Sequence, residues 1–169
     1  MFEGNEKANE PTNIANLLNE YFVNVGPKLA ETIESKNVSF ENFLPNRFDK
    51  SMFFKPVDAS EVIKITQNLK TSKSTGHDLL NTFILKKIIY AIAEPLCHVF
   101  NLSISTGKYP NTFKLAKVIP IYKKDNVNQC QNYRPISILP CLSKILERII
   151  FNQIYNFLDK HNILYPNQY

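Results

Sequence analysis

Apolar side chains recur along this chain at two rhythms, and the change from one to the other divides it into elements. After Pro11, the residues Ile14, Leu17, Leu18, Tyr21, Phe22, Val25 and Leu29 return every three or four positions, which lines them along one side of an α-helix. The pattern predicts a helix over about residues 12–33, with Gly26 and Pro27 as the place where it breaks or kinks. Over residues 34–56 the rhythm is lost. Phe40, Phe43, Phe48, Phe53 and Phe54 stand among Asn, Ser and Pro there, and predict a linker clipped onto a surface.

Asp58-Ala-Ser-Glu61 has the form of a capping box and predicts a helix over about residues 59–69, with Val62, Ile65, Gln67 and Leu69 dividing into a buried and a wet side. The polar turn Lys73-Ser-Thr-Gly-His-Asp78 follows, in which Gly76 is expected to take a positive φ and Asp78 to cap the next helix. Two helices are predicted from there, over residues 79–90 and 91–105, the second closed by Gly107 with Pro110 just beyond. Over residues 115–122 the pattern becomes short, apolar and β-branched. It predicts a strand that Pro120 confines to an edge or an irregular position. A polar loop over residues 123–132 leads to a second extended segment, 133–139, so the two make a long hairpin. Pro140 at a first helical position then opens the strongest helix of the chain. Leu142, Ile145, Leu146, Ile149, Ile150, Ile154, Phe157 and Leu158 form its broad apolar face, and Asn162 ends it. The expected fold class is α+β, mostly α-helical with a small β-hairpin. Residues 1–56 form an N-terminal arm and linker, and residues 57–169 the main domain.

Composition adds boundaries. With 44% hydrophobic residues in 169, the chain can bury one sizeable core, while its longest apolar runs, such as residues 88–93, are too short to cross a bilayer. The N-terminus has neither a basic start nor an apolar stretch, so no secretory signal is expected and an intracellular site, nuclear or cytoplasmic, is the default. Cys97, Cys130 and Cys141 are widely spaced, which predicts reduced thiols, and His77, His98 and His161 are equally scattered, so no bound metal is expected. The net charge of +5 is unevenly spread: residues 1–60 carry 6 basic and 9 acidic side chains, residues 61–169 carry 14 and 6. The basic part suits either a polyanionic partner or a solvated face.

The candidate chemistry lies at the hairpin tip. Lys123 and Lys124 leave the first strand and Arg134 stands at the start of the second, so pairing of the strands brings three cations to one end. Lysine supplies point charges and arginine a planar fork for phosphate oxygens, a combination suited to a nucleotide triphosphate or a nucleic-acid backbone. Tyr122 and Tyr133 flank the group and either stack on a base or simply pack. Lysine-rich tips also serve solubility alone.

Lys117-Val-Ile-Pro-Ile-Tyr-Lys-Lys124 followed by Asn132-Tyr-Arg-Pro-Ile-Ser-Ile-Leu139 resembles the first two sequence blocks of non-LTR, LINE-type (jockey-like) retrotransposon reverse transcriptases. The turn at residues 73–78 is similar to an upstream turn of that family, with Thr75 in place of its usual proline and Leu79-Leu80 where a Gly-Ile pair is common. Ser143-Lys-Ile-Leu-Glu-Arg148, Asn162-Ile-Leu-Tyr-Pro-Asn-Gln-Tyr169 and, in the arm, Asn19-Glu-Tyr-Phe-Val-Asn-Val-Gly26 also resemble family sequence. The resemblance implies the partial fingers of a right-hand polymerase, a surface that holds template RNA and the incoming dNTP. Arg134 matches the fingers arginine on the nucleotide phosphates, and Lys123 and Lys124 match the loop lysines with the same role. Here Asp125 follows Lys124 directly, whereas the family places a glycine between them.

The resemblance also says what to expect of catalysis. Polymerases need carboxylates that hold two metal ions, Mg for the full-length protein, and the family carries them in two later blocks. Asp49, Asp58, Asp78, Asp125 and Asp159 include no adjacent pair, and each has a plain role as cap, turn or surface residue. No catalytic residue is therefore expected in this chain, which reads as a fragment that binds RNA or DNA and nucleotide without copying. The apolar face of the helix over residues 140–162 would meet the palm or another protein partner, or else bury itself against the other helices. A helical interaction module and a relic without function are the alternatives.

Overall fold

In the computed structural model, residues 1–3, 6–34, 39 and 50–164 are described. Phe40, Phe43, Phe48 and the closing residues 165–169 lie outside them, so the expected clipping of the linker applies only to Phe53 and Phe54. The chain falls into two compact units, Met1–Asp49 with Val118–Ser137 and Lys50–Lys117 with Ile138–Tyr169. It is mostly helical, with a two-stranded antiparallel hairpin, as the sequence pattern requires.

The first unit begins with two short strands, β1 (Phe2–Glu3) and β2 (Glu6–Lys7), paired antiparallel. Its long helix α1 (Pro11–Glu31) runs through Pro27 without a break. The hairpin consists of β3 (Lys117–Tyr122) and β4 (Tyr133–Ile138), with a 3₁₀ turn at Cys130–Asn132 before the second strand. Pro120 and Pro135 are tolerated because each strand of a two-stranded ladder has an unpaired side. A hairpin by itself is marginal in water. Support comes from the first half of α1: Leu17 and Leu18 are buried with Ala8 and Cys130, and Ile14, Tyr21, Phe22 and Tyr133 pack around them. The second half of α1 leaves Val23 and Leu29 exposed, and Ile33 just beyond it is exposed too.

The second unit is helical. Helix α2 (Ala59–Asn68) starts as expected, with the Asp58 carboxylate accepting from the Glu61 amide at 2.8 Å and from Ser60 Oγ at 2.6 Å. In place of the two expected helices there is one, α3 (Thr82–Thr106), with Pro95 inside it. Leu85, Ile89, Ala93, Cys97 and Phe100 form a single buried stripe at spacings of four, four, four and three, and its burial outweighs the amide proton lost at Pro95. The cap is Asn81, which accepts from the Ile84 amide at 2.9 Å, while Asp78 accepts from Leu80 within the turn. Gly107 ends the helix with φ +66°, as expected.

Helix α4 (Asn111–Lys114) and helix α5 (Cys141–Lys160) complete the unit, with Pro140 one residue before the first helical turn of α5 and Asn162 left-handed after its last. Ile145, Leu146 and Ile149 are fully buried with Val62, Leu85, Ile89 and Phe100. Each such burial contributes roughly 1.5–3 kcal/mol. The first half of α5 is thus self-buried, whereas Phe151, Ile154 and Tyr155 in its second half are exposed. Gly76 does not take the expected positive φ, which falls on Leu79 at 58°. The strap before α2 is fixed by two side-chain amides. Asn101 accepts from the Val57 amide and donates to its carbonyl at 2.8 and 2.9 Å, and Gln153 does the same for Lys55 at 2.8 and 3.0 Å.

Candidate nucleotide-phosphate site

The register of the hairpin decides which of the predicted residues share a face. The Lys123 amide donates to the Asn132 carbonyl at 2.8 Å, which sets these two residues opposite each other and, one step back, Tyr122 opposite Tyr133. The two rings meet accordingly, with centroids 5.6 Å apart. Side chains alternate across a pleated ladder, so this register sets Lys123 and Arg134 on the face opposite the tyrosines, as diagonal neighbours about 7–8 Å apart along the backbone. Lys124 lies one residue further into the loop.

All three cations are exposed, and among the described residues none makes an ion pair. Their charge is therefore unneutralised by the protein and available to a polyanion. The loop between them is closed by its own hydrogen bonds. Tyr122 donates its hydroxyl to the Asp125 carbonyl at 2.6 Å and Tyr133 to the Val127 carbonyl at 2.9 Å. The Asn132 side-chain amide donates to the Asn126 carbonyl at 2.9 Å. Asp125 adopts φ 71°, taking up at the tip the left-handed conformation for which a glycine is the usual residue. Cys130, almost wholly buried against α1, anchors the base of the loop. Sequence reasoning missed this anchor because a lone cysteine in a polar loop carries no periodic signal.

Both tyrosines thus use their hydroxyls to hold the loop and their rings to pack on each other. Among the described residues no three His, Cys, Asp or Glu side chains converge into a metal-holding group. The donor set present does not fit the paired-metal centre of a polymerase, and no step of phosphoryl transfer is assigned to these residues. Among the described residues no helix is long and apolar enough to cross a membrane.

No family model matches the chain. It is, however, similar to several curated proteins. It is 31% identical over 120 residues to the RNA-directed DNA polymerase from mobile element jockey of Drosophila melanogaster, and 32% identical over 127 residues to that of Drosophila funebris. It is 27% identical over 140 residues to the probable RNA-directed DNA polymerase from transposon BS of Drosophila melanogaster. These matches cover 70%, 75% and 82% of this chain but only 13%, 14% and 15% of those proteins, so the chain spans a small part of their length.

Proposed function

Because this chain is related over most of its length to the RNA-directed DNA polymerases of non-LTR retrotransposons, we propose that it is a fingers-side part of such a polymerase. In this reading Lys123 and Arg134, with Lys124 beside them, grip the phosphates of an incoming dNTP and the backbone of template RNA. The observation that carries it is the placement of Lys123 and Arg134 on one face of the hairpin, exposed and without an ion pair among the described residues. A tip selected only for solubility has no need to hold two cations at a fixed diagonal. Tyr122 and Tyr133 serve by closing the loop that carries the lysines.

The full-length polymerase would supply the carboxylates and Mg, in the nucleus or the cytoplasm. The palm is the natural cover for Phe151, Ile154 and Tyr155 on the second half of α5. A fluorescent dNTP titrated into the chain tests the phosphate site. A Lys123→Gln/Arg134→Gln double variant is expected to bind at least about tenfold more weakly, since hydrogen bonds to charged groups contribute about 1.5–3 kcal/mol each. Equal affinity in the two proteins, with unchanged circular dichroism, overturns the assignment.

A further inference from the structure

We propose that the cleft between the strap of residues 50–55 and the last turns of α5 is a second nucleic-acid contact, which stacks one base of a single-stranded polynucleotide on Phe53 and holds its phosphates with Lys55 and Lys160. It uses none of the hairpin residues and extends the nucleic-acid reading to a separate surface.

Three features of the cleft support this. The first is Phe53, whose ring is 82% exposed although the backbone beside it is fixed. Gln153 satisfies both the amide and the carbonyl of Lys55 across 98 residues of sequence, so the strap is tied to α5 and cannot fold its ring inward at will. An exposed aromatic face on a fixed backbone is the arrangement on which bases stack without regard to sequence. The second is charge. Lys55 and Lys160 line the cleft with Gln153, Phe157 and His161, and among the described residues no carboxylate lines it. Desolvation, then the nearby Lys50 and Lys160 charges, hold the His161 imidazole below its ordinary value, and its ring is set edge-on to Phe157 with centroids 4.8 Å apart. The third is size. At about 260 Å³ the cleft is smaller than the pockets that enclose whole drug-sized ligands and suits a single nucleobase.

The chain has no tryptophan, so Phe53→Trp places a sole fluorophore at the proposed stack. Titration with a fluorescently labelled oligouridylate, read both by tryptophan quenching and by anisotropy of the RNA label, is expected to give the same midpoint by both signals. Phe53→Ala is expected to weaken binding roughly tenfold. Lys55→Gln/Lys160→Gln is expected to lower the slope of log affinity against log salt by about 1.4, two single-strand contacts' worth. Phe53, Lys55 and Lys160 are all exposed, so these variants keep the fold. The quench is expected to persist in a Phe53→Trp protein that also carries Lys123→Gln/Arg134→Gln. Anisotropy without quenching overturns the cleft and leaves the hairpin reading standing. Equal quenching by polyglutamate, which has no base to stack, overturns the stacking assignment, and absence of any binding overturns both sites.

Discussion

The backbone of Pro140 lies so close over Gly76 that a β-carbon on the glycine would sit 3.0 Å from the Pro140 nitrogen. The Leu139 carbonyl carbon and Pro140 Cα would be only 3.2 Å away. All three are backbone atoms at the start of α5 and cannot swing aside as a side-chain tip would. Gly76→Ala is therefore expected to destabilise the protein by about 1–3 kcal/mol through crowding, not through backbone dihedrals. Urea unfolding measures this, and a midpoint equal to that of the parent would show that the turn shifts freely.

That glycine also shows where sequence reading reached and where it stopped. The turn was legible, but the positive φ expected of the glycine is not adopted, and its close approach to Pro140 was out of reach, since that depends on which distant backbone lies opposite and local pattern carries no such information. The hairpin was legible from its short, β-branched segments, and the faces of α2 and of the first halves of α1 and α5 from an apolar rhythm that reports burial directly; the same rhythm overreached at Leu29 and Ile154, which are exposed. The division of α3 into two helices failed because the buried stripe from Leu85 to Phe100 runs on past residue 90 without a change of phase. Asp78 was a plausible cap by composition, yet Leu79 takes the left-handed conformation and hands the cap to Asn81. At the candidate site the cations were evident in the sequence, whereas the support of the loop by Cys130 and α1 joins segments more than a hundred residues apart. The grouping of Phe53 with Lys160 across the strap and α5 was equally out of reach.

Cys141 gives the protein a defined alkaline sensitivity. Burial, and secondarily the Asp78 charge, push its thiol from 9.0 up to about 11. Between these values the unfolded thiol has lost its proton while the folded one keeps it, so the native state binds more protons and stability falls as pH rises. Below about pH 9 the contribution is complete. Cys97 and Tyr109 are also raised, chiefly by burial, and act with the same sign in any variant that keeps them. The urea midpoint of the parent is therefore expected to fall more steeply above pH 9 than that of Cys141→Ala. Parallel curves for the two proteins would remove Cys141 from the account.

Asp125 occupies the left-handed conformation that closes the hairpin tip, and its carbonyl receives the Tyr122 hydroxyl. For a residue with a β-carbon that conformation costs roughly 1–2 kcal/mol, less for aspartate than for branched residues, and almost nothing for glycine. Asp125→Gly is thus expected to leave the fold intact and stabilise the tip by up to about 1 kcal/mol, whereas Asp125→Val forces a branched side chain into the same dihedrals and opens it. The Lys123 amide reports the difference, because its bond to Asn132 is the last of the ladder before the loop. Its hydrogen exchange should slow in Asp125→Gly and quicken in Asp125→Val. If the cations act as a unit held by this loop, dNTP affinity follows the same order, since a tip that samples open states spends less time with Lys123 and Arg134 at their working separation. Exchange that changes in this order while affinity stays constant would mean that the lysines bind as independent charges and that the hairpin contributes no geometry.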